Sequence, residues 1–418
     1  MGQVAELKCV LCGRSYREGE VDYTCTSCGI DGTLDVLYDF DDAGAQMTRA
    51  GMAANPDRSL WRYWPVLPVR ETAHVQPLAV GWTPIYRSDR LAAEYGVKRL
   101  YIKDDGRNPT ASLKDRASAV GVGKALDHGR RAVACASTGN AASSLAGFSA
   151  VAGLESFIFV PKTAPEAKVA QLLIYGARVM LVNGTYEDAF NLSTAAIGEF
   201  GWYNRNCAIN PYLVEGKKTC AMEISEQLDW EVPDWVFISV GDGCCLSGLY
   251  KGFRDLEQIG LIDRIPRLCG VQADGCRPVY NAFKEGRERV QFGPSNTLAD
   301  SISVGAPRNW AKALRAARLS RGDMITVTDD KILDAMRELA RQAGVFGEPA
   351  GVTGYAGFRK MAMEGGLRET DTVAVVVTGN GLKDIASARK ACGEPVAVEP
   401  DLDEFVKALR SRGMLPRA

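Results

Sequence analysis

Histidine is almost absent from this chain, His74 and His128 being the only two in 418 residues. A dense imidazole cluster for acid-base work or metal binding is therefore excluded, and proton transfer falls to lysine, carboxylates or hydroxyls. Neither sign of charge is in excess. Lysine plus arginine total 50 against 51 acidic residues, a net charge of -1, which gives no long-range attraction to nucleic acid or an anionic membrane. No apolar run is long enough to span a bilayer, and Met1 to Lys8 lacks the core of a signal peptide. Met1-Gly2 does not open a myristoylation site, because Glu6 stands where Ser or Thr is wanted. Internal repeats and low-complexity segments are also missing. These absences predict a cytoplasmic protein with a small-molecule partner, no nucleic acid and no membrane.

Cysteine, by contrast, is plentiful. Twelve cysteines without an export signal point to metal or free thiols and not to a disulfide framework. Cys9-x2-Cys12 and Cys25-x2-Cys28 form two knuckles twelve residues apart, a spacing that closes on one tetrahedral ion. Four thiolates leave no open coordination position, so residues 1–37 read as a structural zinc ribbon that stabilises and does not catalyse. A segment that short has too little core to fold without such a staple. Residues 38–80 are irregular, with Asp39, Asp41 and Asp42 followed by Trp61, Tyr63, Trp64, Pro65 and Pro68. Clustered aromatics among prolines predict an arm packed on a surface, either a second subunit's or that of its own domain.

From residue 81 to 418 apolar runs alternate with helical periodicity. The runs are Leu100 to Lys103, Arg131 to Ala136, Ser156 to Val160, Arg178 to Val182, Trp235 to Val240, Leu268 to Gln272, Met324 to Thr328 and Thr372 to Val377. Continuous Val/Ile/Phe runs followed by helical stretches predict parallel strands covered on both faces. The fold class is therefore α/β with two lobes, the smaller over roughly 100–210, and with ligand groups at the carboxyl ends of strands.

Four loops carry the chemistry. In Asn108-Pro109-Thr110-Ala111-Ser112-Leu113-Lys114-Asp115-Arg116, Asn-Pro delays the helix and Ser112 reads as its N-cap, with Asp115 completing a capping box. Lys114 then sits in the first turn. The positive end of the helix dipole disfavours an added charge there, and a neutral lysine amine is a nucleophile toward carbonyls. Ser137-Thr138-Gly139-Asn140-Ala141 is a hydroxyl-rich turn feeding a helix N-terminus, a natural seat for a carboxylate. Gly241-Asp242-Gly243-Cys244-Cys245 follows a strand and can cradle a phosphate on backbone amides. Thr378-Gly379-Asn380-Gly381-Leu382-Lys383-Asp384 ends the last strong strand.

These loops, in this order, resemble the threonine synthase branch of the fold-type II pyridoxal phosphate enzymes, and Gly81-Trp82-Thr83-Pro84-Ile85 resembles the segment that opens their core. The resemblance implies pyridoxal 5'-phosphate as cofactor, Lys114 as Schiff-base lysine and base, and a homodimer. It implies that Ser137, Thr138, Gly139 and Asn140 hold the substrate carboxylate, with Asn140 also on the cofactor's ring hydroxyl. Gly241, Asp242, Gly243, Cys244 and Cys245 would hold the cofactor phosphate, and Thr378 would meet the pyridine nitrogen. A hydroxyl at that nitrogen, where many relatives use a carboxylate, favours expelling a leaving group over transamination or racemisation. Glu348, ahead of Pro349, takes a supporting role.

The chain also departs from that branch. Ala111 and Leu113 replace the usual Gly and Phe, and Cys244 and Cys245 replace Gly or Asn. Asn206 to Thr219 resembles the segment that in that branch carries groups for the substrate's phosphate, but Cys207 and Leu213 stand where Ser and Arg are usual. Leucine offers a phosphate nothing, whereas an arginine fork suits it. Asn206 and Lys218 are then the expected substrate contacts, Lys217 and Lys218 being either replacement cations or surface lysines. The activity implied is conversion of O-phosphohomoserine and water to threonine and phosphate, or elimination or replacement on another substituted amino acid. Cysteate synthase, acting on O-phosphoserine, and the serine/threonine ammonia-lyases are the nearest alternatives. A non-catalytic zinc-ribbon regulator is the alternative of another class.

Overall fold

The computed structural model describes residues 4–164 and 166–414. Strands β1 (Val4–Cys9), β2 (Ser15–Tyr16) and β3 (Leu34–Tyr38) form a small antiparallel sheet in the order β2-β1-β3. Leu34, Val36 and Tyr38 are buried in the same apolar core as helices of the rest of the chain, so the cysteine module is built into the body. The arm follows as two short helices, Phe40–Gln46 and Arg49–Ala54, capped by Asp39 and Thr48 through the amides of their first turns. Arg62 and Tyr63 then meet Glu226 at 2.6 and 2.7 Å, which lays this part of the arm on the chain's own helix Tyr212–Gln227.

The remaining strands are β4 (Ile85–Arg87), β5 (Arg99–Asp104), β6 (Ala132–Ala136), β7 (Glu155–Pro161), β8 (Arg178–Val182), β9 (Tyr203–Asn204), β10 (Trp235–Ser239), β11 (Arg267–Ala273), β12 (Asp323–Val327) and β13 (Thr372–Val377). They make two sheets, ordered β12-β11-β10-β13-β5-β4 and β8-β7-β6-β9, parallel throughout except for β4 against β5. The apolar runs produce this because each is covered on both faces, β10 and β13 being buried almost end to end. One boundary differs from expectation. β5 pairs with β13, Leu100 opposite Val373, and the smaller sheet begins only at β6. Leu100 and Ile102 share an apolar cluster with Val373 and Val375, so burial in the larger core decides where this strand goes.

The helix Lys114–Asp127 lies between the Asn140–Ala152 and Tyr212–Gln227 helices. Every residue from Asp115 to Ala125 is buried, as for a helix covered all round. Its first turn is anchored by an interior ion network. Arg116 bridges Asp105 at 2.7 Å and Glu223 at 2.8 Å, Lys103 joins Glu223 at 2.7 Å, and Thr83 donates its hydroxyl to Asp105 at 2.6 Å. Removing one member would leave a buried charge unpaired, so the network dictates where this helix begins.

Candidate active site

The Lys114 turn is fixed by pairing with the last motif. Ser112 forms an antiparallel bridge with Gly379, the Leu113 amide donates to the Thr378 carbonyl at 2.9 Å, and the Asn380 amide donates to the Ala111 carbonyl at 3.0 Å. This changes the cap. Leu113 already has helical dihedrals and takes the N-cap position without a side-chain hydrogen bond, while the Lys114 amide reaches Ser112 Oγ at 3.3 Å. Asp115 closes no capping box; its carboxylate accepts the Thr110 amide at 2.6 Å and the Thr110 hydroxyl. The side chain that should have pointed back to the N-cap is used to tie down the loop ahead of it. Arg205, which the sequence reading passed over, donates to the Lys114 carbonyl at 3.4 Å and to Ser118 at 3.0 Å.

Ala111 explains the family preference for glycine at its position. Its φ is 66°, a left-handed conformation that costs an L-residue about 1 kcal/mol, held here by the pairing with Asn380. Ala111→Gly should therefore stabilise the protein by up to about 1 kcal/mol, less the extra entropy glycine brings to the unfolded chain. Denaturant unfolding of the two proteins measures it, and a destabilised glycine variant would contradict the strain.

Four side chains meet around this turn. Asn140 is the first residue of its helix, with Gly139 as N-cap, and its amide donates to Glu348 Oε1 at 2.6 Å. The Glu348 amide in turn donates to the Gly379 carbonyl at 3.0 Å. A Cβ on Gly379 would overlap the Glu348 carboxylate, which accounts for glycine between Thr378 and Asn380. Burial pushes the Glu348 carboxyl above its ordinary range, opposed by the nearby Lys114 charge and the Asn140 hydrogen bond. Thr378 is buried. Lys383, from the same motif, donates to Ser143 at 3.0 Å and to Gln171 at 3.3 Å, and burial lowers its basicity despite Glu348 and Asp115. It ties the large-lobe motif to the small lobe, and Lys168 repeats the link through Asp300. The sequence reading placed Lys383 in a motif without seeing a role; its spacing from Ser143 is visible only in three dimensions.

At the glycine-rich loop, Gly243 has φ of 93°, a left-handed turn that glycine adopts freely, and serves as N-cap of the helix Cys244–Gln258. No side chain caps that end, so the first-turn amides are free for an anion. Cys244 and Cys245 are therefore in the helix and not in the loop. Asp242 accepts the Arg308 amide at 3.1 Å, and burial pushes its carboxyl up. On the small-lobe side Ser137 Oγ accepts the Gly139 amide at 3.2 Å, and Thr138 lies between them. Asn206 holds the end of β6 by accepting the Ala136 amide at 3.1 Å, which brings the 206–207 segment beside the 137–140 loop.

The lysine expected to meet substrate is elsewhere. Lys218 is wholly buried, paired with Glu215 at 2.6 Å and Asp255 at 2.7 Å under the Tyr38 ring. Three carboxylate and aromatic partners already neutralise it, and no charge is left for a substrate. Lys217, one residue earlier, donates to Cys207 instead. Leu213, where an arginine was expected, is fully buried and packs on Gly121 of the Lys114 helix.

A pyridoxal phosphate group fits this arrangement by its donors. A half-buried lysine, the uncapped amides at Cys244, a buried asparagine and a buried threonine hydroxyl offer an amine, an anion seat and two ring contacts, the lysine turn, asparagine and threonine being linked through Gly379 and Glu348. Far from it, Cys9, Cys12, Cys25 and Cys28 place their sulfurs within 4.8 Å of one another, with Cys12 and Cys25 at 3.6 Å. Tetrahedral zinc with bonds of about 2.3 Å needs sulfurs roughly that far apart.

The profile of the family described as pyridoxal-phosphate dependent enzymes matches residues 77–379. A threonine synthase of Methanocaldococcus jannaschii is 38% identical over 96% of this chain and 99% of its own length. A threonine synthase of Methanosarcina acetivorans is 40% identical over 96% of this chain and 98% of its own. Among solved structures, diaminopropionate ammonia lyase from Escherichia coli superposes with a TM-score of 0.63 at 20% identity, over 74% of this chain and 86% of that one.

Proposed function

The chain belongs to the pyridoxal-phosphate dependent enzyme family, and from that premise we propose that its cleft converts O-phosphohomoserine and water to threonine and phosphate. It is a threonine synthase-like lyase, and the observation that carries the assignment to this cleft is the pairing of the Lys114 turn with Thr378 to Asn380. The cofactor, when bound, supplies an electron sink for the carbanion that forms at the substrate α-carbon. Lys114 would hold it, Asn140 and Thr378 would meet its ring, and the amides at the start of Cys244–Gln258 would take its phosphate. Ser137 to Gly139 offer hydroxyls and an amide to the substrate carboxylate. Lys114 Nζ, the amine of the turn that would hold the cofactor, would be the base for the α-proton. Glu348 positions Asn140, and Lys383 helps hold the lobes together over the reacting atoms.

A second reading has one observation in its favour. Leu213 faces the core and brings no guanidinium to the leaving group, which suits a substituent without phosphate, as in ammonia-lyase action on serine or threonine. Phosphate release decides between them: purified protein given each compound should liberate phosphate and threonine from O-phosphohomoserine. Ammonia and a 2-oxo acid from serine or threonine, with no phosphate from O-phosphohomoserine, would move the assignment to the second reading, and the absence of both reactions would end both.

Zinc at the four-cysteine cluster, a cytoplasmic location and a homodimer complete the proposal. The sulfur geometry supports the metal, and no helix among the described residues is long and apolar enough to cross a membrane.

A further inference from the structure

Lys217 is an unusual lysine. It is 2% exposed, yet among the described residues it makes no salt bridge, and its only hydrogen-bond partner is the Cys207 sulfur. The neighbouring Lys218 and Lys251 share Glu215 and Asp255 between them, so the interior carboxylates on this helix pair are already committed. A buried ammonium with spare donors and no carboxylate is expensive unless an anion reaches it. Its surroundings would hold one. The Lys217 Cβ lies 3.0 Å from where a side chain on Gly248 would begin, beside the uncapped first turn of Cys244–Gln258. The Cys244 thiol donates to the Cys207 carbonyl at 3.7 Å, joining the two segments. Next to Cys207, the Asn206 side-chain amide is 6% exposed as a residue and has an Nδ2 with no hydrogen-bond partner among the described residues.

We propose that Lys217 is the cation that receives a phosphoryl dianion in this cleft, and that Cys207 holds its ammonium until that anion arrives. The proposal rests on the threonine synthase-like reading and deepens it, since it names the residue that replaces the absent arginine. The Cys244 thiol beside it and the Lys217 and Arg205 charges hold the Cys207 thiol well below its ordinary range against its burial. Burial works against the ammonium, but the Cys207 sulfur in contact with it more than offsets that, leaving Lys217 above its usual range. The contact of Lys217 Nζ with Cys207 Sγ is, on this proposal, a thiolate-ammonium pair. A phosphoryl group, with more oxygens and more charge than one sulfur, displaces the thiolate, which then takes up a proton. The dianion has two sources, the cofactor's phosphate and the substrate's, and the same chemistry serves both.

The test follows alkylation of Cys207 by iodoacetamide, read by peptide mass, with the exposed Cys392 as internal reference. Adding inorganic phosphate to the holoenzyme should slow Cys207 several-fold if the substrate's phosphate is the partner. Removing pyridoxal phosphate should speed it if the cofactor's is. Lys217→Gln should slow alkylation in every condition and raise either KM for O-phosphohomoserine or the dissociation constant of the cofactor by about ten-fold or more, with Lys217→Arg recovering most of the loss. Cys207→Ser keeps the cation and frees it, so calorimetry should find inorganic phosphate bound more tightly than by the parent. Alkylation indifferent to both phosphate and cofactor, or a Cys207→Ser protein that binds neither phosphate nor cofactor more tightly than the parent, overturns the proposal. Phosphate release from O-phosphohomoserine with an indifferent Cys207 sinks this inference alone. Protection of Cys207 without any such release sinks only the substrate assignment.

Discussion

Lys114→Ala is expected to be colourless and inactive while folding normally. The parent protein should carry a visible absorbance band from lysine-bound pyridoxal phosphate, and the variant should lose it because the only amine on this turn is gone. Turnover should fall by a factor of about ten thousand or more, since on the proposed mechanism one residue is both attachment point and base and the two losses compound. Folding should survive, because Lys114 is half-buried and makes no side-chain contact in the interior ion network, which uses Arg116, Asp105, Glu223 and Lys103. Thermal unfolding separates the two effects. A Lys114→Ala protein that keeps the band, or turns over at the parent's rate, would place the chemistry on another lysine; Lys383 is then the nearest candidate by its link to Ser143.

The second large effect concerns metal. If zinc fills the Cys9, Cys12, Cys25 and Cys28 cluster, chelation should release about one equivalent and destabilise the whole protein, because apparent zinc binding to such sites is worth roughly 10 kcal/mol or more. The loss should propagate. Asp35, on β3, pairs with Lys312 at 3.3 Å and with Arg315, and Tyr38 donates to Glu215 at 2.9 Å. Opening the ribbon would uncover these groups and the apolar face of Leu34 and Val36. Cys25→Ser should behave like the chelated parent in calorimetry. Full-length protein with no bound zinc and an unchanged unfolding temperature after chelation would remove the structural-metal reading.

Much of this was legible because it depends on local chemistry. Runs such as Thr372 to Val377 bury on both faces whatever surrounds them, so parallel strands follow from composition alone. The two cysteine knuckles bring their sulfurs together because two residues between ligands leave little other geometry. The helix start at Lys114 was located to within one residue, yet its cap was misread. Ser112 was drawn into a bridge with Gly379, a partner more than two hundred residues away, which no local rule contains.

What the chain determined by itself was the set of parts: strand-loop-helix units, a lysine at a helix start, a glycine turn ahead of another helix, and two pairs of thiols. Tertiary structure alone decided which cations are free. Lys217 and Lys218 are adjacent and chemically identical, but the helical rotation between them sends one toward Cys207 and the other into Glu215 and Asp255. Sequence spacing sets the angle between two side chains on a helix; only the packing of other helices around them determines what each one meets.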